Sequence, residues 1–137
     1  MGRMLFVLRY RNGEPEPLGT PVLREVLGPY AVAADADFRD GVLIRTTDGH
    51  DLEIDVNEVC LAVSRFPPGQ FFDVLARLVD RLGASVVPMD RPAVLRREED
   101  RAHLPPAGRR EAVVVAMTGR ALEAALTDGG GPGACRR

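Results

Sequence analysis

Two β runs, residues 42–46 and 51–56, are joined around Asp48 and Gly49, and this pair constrains the fold more than any other stretch of the chain. A two-residue Asp-Gly turn would set Ile44 opposite Glu53. A three-residue loop of Thr47, Asp48 and Gly49 instead pairs Ile44 with Leu52 and Val42 with Ile54. The second register is expected, because apolar cross-strand partners stabilise a sheet and a one-residue slip exchanges its faces. It also sets Arg45 opposite Asp51 and gives Gly49 the left-handed position that such a loop requires.

Around this hairpin the chain reads as alternating short strands and helices. Residues 4–10 are rich in β-formers, and the stretch after them, punctuated by Gly13, Pro15 and Pro17, reads as a loop. Thr20 is placed to cap a short helix with Pro21 in its first turn, and Gly28 and Pro29 end it. The apolar run at 59–64, broken only at its end, predicts a central strand buried on both faces. From 69 to 82, Phe71, Phe72, Leu75, Leu78, Val79 and Leu82 fall on one stripe, opposite Asp73, Arg77, Asp80 and Arg81, with Gly83 as the stop. This predicts the major amphipathic helix. Residues 85–87 form a further strand, 92–103 a possible helix and 111–117 a β run. Thr118 is placed to cap a last helix containing Leu122, Ala125 and Leu126, closed by Gly129. The expected architecture is α+β, a mainly antiparallel sheet of five to six strands with the 69–82 helix and shorter helices packed on it. It occupies residues 1–128 as one domain, followed by a Gly- and Arg-rich tail at 129–137.

Charge narrows the function classes. All 18 basic residues are Arg, so lysine chemistry is excluded, and against 20 acids the formal charge is −2. Dedicated nucleic-acid binders usually present a strongly basic domain, so that partner is not expected. No apolar run approaches the length of a membrane span, and residues 4–8 are too short for a signal-peptide core, so a cytoplasmic protein without a membrane partner is expected. Cys60 in an apolar run and Cys135 in the tail offer neither a disulfide framework nor a metal-ligand set. No cofactor is implied.

Charge is nevertheless uneven along the chain. Residues 35–58 carry eight acids against Arg39 and Arg45, a net charge of −6. Residues 91–110 carry six arginines against Glu98, Glu99 and Asp100, a net charge of +3. The second run contains no aromatic residue to stack on bases, so a solvated or internally paired segment is expected in preference to a nucleic-acid site.

Candidate catalytic groups are scattered. His50, between Gly49 and Asp51, has carboxylates nearby but reads as part of a solvated turn, since successive strand residues point apart. His103 has no evident partner in the sequence. Ser64 and Ser85 lack a nucleophile-elbow context, and a buried Cys60 would be inert. No catalytic or metal-binding residue is therefore assigned. The leading expectation is a non-enzymatic protein-binding module, such as an immunity-type inhibitor or a subunit of an assembly. It would engage a protein partner, or a second copy of itself, through the acidic hairpin face: Asp48, Asp51, Glu53, Asp55 and Glu58. The alternative is a small-molecule binder or small enzyme with a pocket between the 69–82 helix and the sheet. There Arg65, Arg96, Arg97 and Arg101 would meet an anionic ligand.

Overall fold

The computed structural model describes residues 4–32 and 41–127. Strand β1 (Met4–Arg11) runs through the middle of an eight-stranded sheet. It is followed by β2 (Glu14–Glu16), helix α1 (Thr20–Leu27), β3 (Gly41–Arg45), β4 (Asp51–Val56) and β5 (Cys60–Ser64). Helix α2 (Gln70–Leu82), β6 (Ser85–Pro88), β7 (Val94–Leu95), β8 (Val113–Val114) and helix α3 (Gly119–Thr127) complete the order. The strands lie side by side as β3-β4-β5-β1-β6-β7-β8, with β2 paired to β1. Every pairing is antiparallel except β7 with β8.

The hairpin of β3 and β4 has the expected register, with Val42 opposite Ile54, Ile44 opposite Leu52 and Arg45 opposite Asp51. Gly49 closes it at φ +93°. The sheet has two more strands than the upper end of the expected range. One is β2, where the sequence reads as a loop. It exists because Asn12 and Gly13 both take positive φ (53° and 86°), the two-residue turn that matches strand twist. The other is β7, which lies where a helix over 92–103 was expected. Val94 is held beside Val86 in the sheet, and only Glu98–His103 coils, as a 3₁₀ segment.

Among the described residues, helices α1, α2 and α3 all serve the main core. In α2 the stripe from Phe71 to Leu82 is buried, and Phe71 and Phe72 pack edge to face with ring centroids 5.3 Å apart. Each large side chain removed from water here contributes about 1.5–3 kcal/mol. Gly83, at φ +68°, ends the helix in the left-handed conformation. In α1 the buried residues are Leu23, Val26 and Leu27, and Gly19 occupies the cap position. Thr20 is the first helical residue and makes no capping bond, which corrects the expectation for it. Thr118 does cap α3, accepting the N–H of Ala121 at 3.2 Å.

The sheet face turned toward this core carries Leu5, Val7, Val42, Ile44, Leu52, Ile54, Leu61, Val63, Val86 and Val94. Strand β5 alternates instead of being covered on both sides: Leu61 and Val63 are buried, Cys60 and Ala62 half-buried and Ser64 exposed. The apolar run was read as two-sided burial because Cys and Ala suit a partly covered face as well as a buried one. On the side away from the helices, Leu95, Leu104 and Ala112 form a second small cluster with Tyr10 and Ala93. It covers that side only at the β7 end.

Candidate functional site

The strand pairings define what the outer face presents. Asp55 pairs with Ala62, Ala62 with Phe6, and Phe6 with Val87, so these four side chains cross the sheet as one row. Directly paired residues share a face, and alternate residues along each strand return to it. The same face therefore carries Leu43 and Glu53, paired across β3 and β4, and Met4 and Leu8 beside Phe6. Leu43 is 44% exposed, and Met89, just beyond β6, is 70% exposed. The result is a partly solvated apolar strip along β1, β5 and β6 with a carboxylate border on β4.

Not all the sequence-predicted acids belong to that border. Asp51 is held by Arg45 in a forked pair, Nε to Oδ1 at 2.6 Å and an Nη to Oδ2 at 3.0 Å, which keeps its carboxyl below the ordinary range. Asp48 is exposed but engaged by the chain itself. One oxygen accepts the Thr46 hydroxyl, and the other accepts the N–H of Gln70 at 3.0 Å. The Thr46 hydroxyl, followed by the Gln70 N–H, holds the Asp48 carboxyl low. Asp48 is thus the cap of α2, supplied from the hairpin loop. The side chains of Glu53, Asp55 and Glu58 are exposed, and no described residue forms an ion pair with them. Residues 35–40, the rest of the acidic stretch, lie outside the described residues, as does the tail at 129–137.

The arginines proposed for an anionic ligand separate as well. Arg65 is exposed at the end of β5, at φ +55°, and Arg97 is exposed before the 3₁₀ segment. Arg101 holds Glu98 at 2.7 Å and donates to the carbonyls of Arg109, Arg110 and Ala112, tying the 104–112 turn together. Arg109 donates to the carbonyl of Leu104 and Arg91 to that of Ala125. Much of the positive run is therefore engaged with the chain itself. Arg96 is different, since it lines a polar cavity of about 480 Å³ together with Arg9, Arg11 and His103. That cavity opens off the C-terminal end of α2, whereas the interface between α2 and the sheet is filled by core side chains.

Sequence reasoning missed Arg9 and Arg11: they continue the alternation of Leu5 and Val7 on the helix side of β1, and nothing local states that they meet Leu82 and Gly83 at the end of α2. It missed the role of His103, whose Nδ1 accepts the N–H of Asn12 at 3.2 Å. The Asn-Gly dipeptide that starts β2 was the available signal for both, since the hairpin it makes carries Asn12 to His103. Cys60 is half-buried, and desolvation pushes its thiol up, away from the reactive thiolate. Among the described residues no three His, Cys, Asp or Glu side chains converge as a metal site would require, and no helix is long and apolar enough to cross a membrane. Compared with protein-family models, curated proteins and solved structures, the chain matches none.

Proposed function

We propose that the chain is a non-enzymatic protein-binding module that docks a basic partner protein on the outer face of its sheet. The observation that carries this reading is the row Asp55, Ala62, Phe6 and Val87, an apolar centre bordered by carboxylates that have no counter-ion within the described chain. Apolar surface of this kind supplies affinity when a partner removes it from water, and unpaired charge beside it supplies orientation and association rate. The fitting partner presents an apolar contact rimmed by Arg or Lys. An inhibitor of the immunity type or a subunit of a larger assembly would use such a face. The internal engagement of Arg101, Arg109 and Arg91 supports a protein partner over a nucleic acid.

Affinity purification of the tagged protein from its own host, followed by titration of the recovered partner, tests the reading. A partner that binds the wild type, dissociates as salt is raised, and is lost on Met89→Asp or on Glu53→Ala combined with Asp55→Ala supports it. A partner whose affinity is unchanged by both variants places the interface elsewhere and removes the proposal.

A further inference from the structure

The polar cavity at the end of α2 is independent of the outer face, and its hydrogen-bonding inventory is unbalanced. Its walls bring three guanidiniums, from Arg9, Arg11 and Arg96, against two carboxylates, from Glu16 and Asp100, with a third acid, Asp80, 3.9 Å from Arg96. Buried or half-buried guanidiniums normally find acceptors for most of their five N–H groups. Arg9 does so in part: its two Nη atoms donate to the carbonyls of Leu82 and Pro17 at 3.2 and 2.9 Å, while its Nε, 3.4 Å from Glu16, makes no hydrogen bond.

Arg96 does not. Its side chain is only 17% exposed, yet its contacts are an Nε at 3.2 Å from Asp100 and an Nη at 3.9 Å from Asp80. The Nε and the facing Asp100 oxygen are ion-paired in distance but lack hydrogen-bond geometry. Its other Nη lies over Gly83, where a side chain would come within 3.3 Å of it. Arg11, which lines the cavity, uses its Nε on Glu16 at 2.8 Å, and its Nη groups make no hydrogen bond to the described residues. His103 accepts from Asn12 through Nδ1, so its ring proton sits on Nε2. The unused capacity is therefore mainly donors, on four side chains from two separate parts of the chain.

We infer that this cavity is a binding site for a small organic oxyanion, whose oxygens accept the forked N–H groups of Arg96 and Arg11 and the Nε2–H of His103. A volume of about 480 Å³ lies in the range of metabolite sites, and three guanidiniums lining one hollow suit a ligand carrying one or two negative charges. Carboxylates and phosphate esters share the acceptor geometry that guanidinium forks recognise. The rigid elements around the cavity, β1, the end of α2 and the 3₁₀ segment, hold the donors apart without a ligand present.

The experiment is isothermal titration of the full chain with succinate, with glycerol phosphate and with glycerol. It is repeated on Arg11→Ala, Arg96→Gln and, as charge-matched controls, Arg65→Ala and Arg97→Ala. Saturable binding of one or both anions but not of glycerol is expected, and which anion binds separates the carboxylate from the phosphate source. Arg11→Ala and Arg96→Gln should each weaken it by about tenfold or more, the loss of charge-assisted hydrogen bonds, while the controls bind as wild type. Arg11 is 68% exposed, so Arg11→Ala decides the matter even if Arg96→Gln fails to fold. Absence of saturable binding at millimolar anion, or an equal loss in Arg11→Ala and Arg97→Ala, overturns the inference.

Discussion

The carboxylate of Asp48 accepts the backbone N–H of Gln70, the first residue of α2, across 22 positions of sequence and at 3.0 Å. A helix leaves its first N–H groups without partners, and a side-chain oxygen placed there satisfies one of them and favours the positive end of the helix dipole. Gly69 makes the approach possible. Its φ is +89°, and a Cβ on it would stand 2.6 Å from Asp48 Oδ2. The β3–β4 loop thus fastens the N-terminus of the principal helix.

Asp48→Ala should lower the urea midpoint and speed hydrogen exchange of the first-turn amides of α2, with those of the β3–β4 strands less affected. Thr46→Val should act through the same carboxylate, so the double variant should lose less than the sum of the two. Strict additivity would show that Thr46 does not hold Asp48.

Acid should destabilise the protein by a route that these carboxylates set. Hydrogen bonds from Thr46, Arg45, Arg81 and Arg101 hold Asp48, Asp51, Glu25 and Glu98 respectively below the ordinary carboxylate range. A group lowered in the folded state contributes its stability above its unfolded value. That stability is lost as pH falls through the folded one, because the unfolded chain binds the proton first. The urea midpoint should therefore be insensitive to these groups near neutrality and fall below about pH 4. All four are exposed, so the loss should shrink as salt is raised. Asp48→Asn should shallow this acid limb, and an unchanged limb would remove Asp48 from the account.

Two glycines should respond in opposite directions to the same substitution. Gly119 opens α3 against the first turn of α2, where a Cβ would stand 2.9 Å from the backbone nitrogen of Asp73. Gly119→Ala must push the helices apart and should cost about 1–3 kcal/mol by denaturant titration. Gly28 sits in ordinary helical geometry (φ −52°, ψ −45°) with open space where its Cβ would be. Gly28→Ala should stabilise by about 0.4–1 kcal/mol through the unfolded chain.

Phe72 is fully buried and packs edge to face on both Phe66 and Phe71. Phe72→Ala should cost about 3–5 kcal/mol, enough to unfold much of a domain of ordinary stability. Met89→Asp on the outer face should leave the urea midpoint unmoved, which makes it a clean variant for the docking experiment.

Much of the fold was legible because its elements follow local periodicity. The pairing of Ile44 with Leu52 and the stripe from Phe71 to Leu82 are stated by the spacing of apolar residues, and α+β follows from them. The missed strands, β2 and β7, are two or three residues long, too short for a period to show. For the candidate sites, the exposed carboxylates Glu53 and Asp55 were readable from their alternation with Leu52, Ile54 and Val56. Arg9 and Arg11 were not, because nothing in β1 states that the 3₁₀ segment will bring His103 and Arg96 beside them.

By itself the sequence determined the hairpin register, the buried stripe of α2 and the class of the fold, since each depends on neighbours within a few residues. The tertiary structure decided which sheet face the helices cover, that the exposed Asp48 is tied to the start of a helix, and that Arg96 meets a cavity while Arg101 meets carbonyls. Side-chain alternation fixes which residues share a face, but what covers that face depends on contacts between segments far apart in the chain, and no local spacing encodes them.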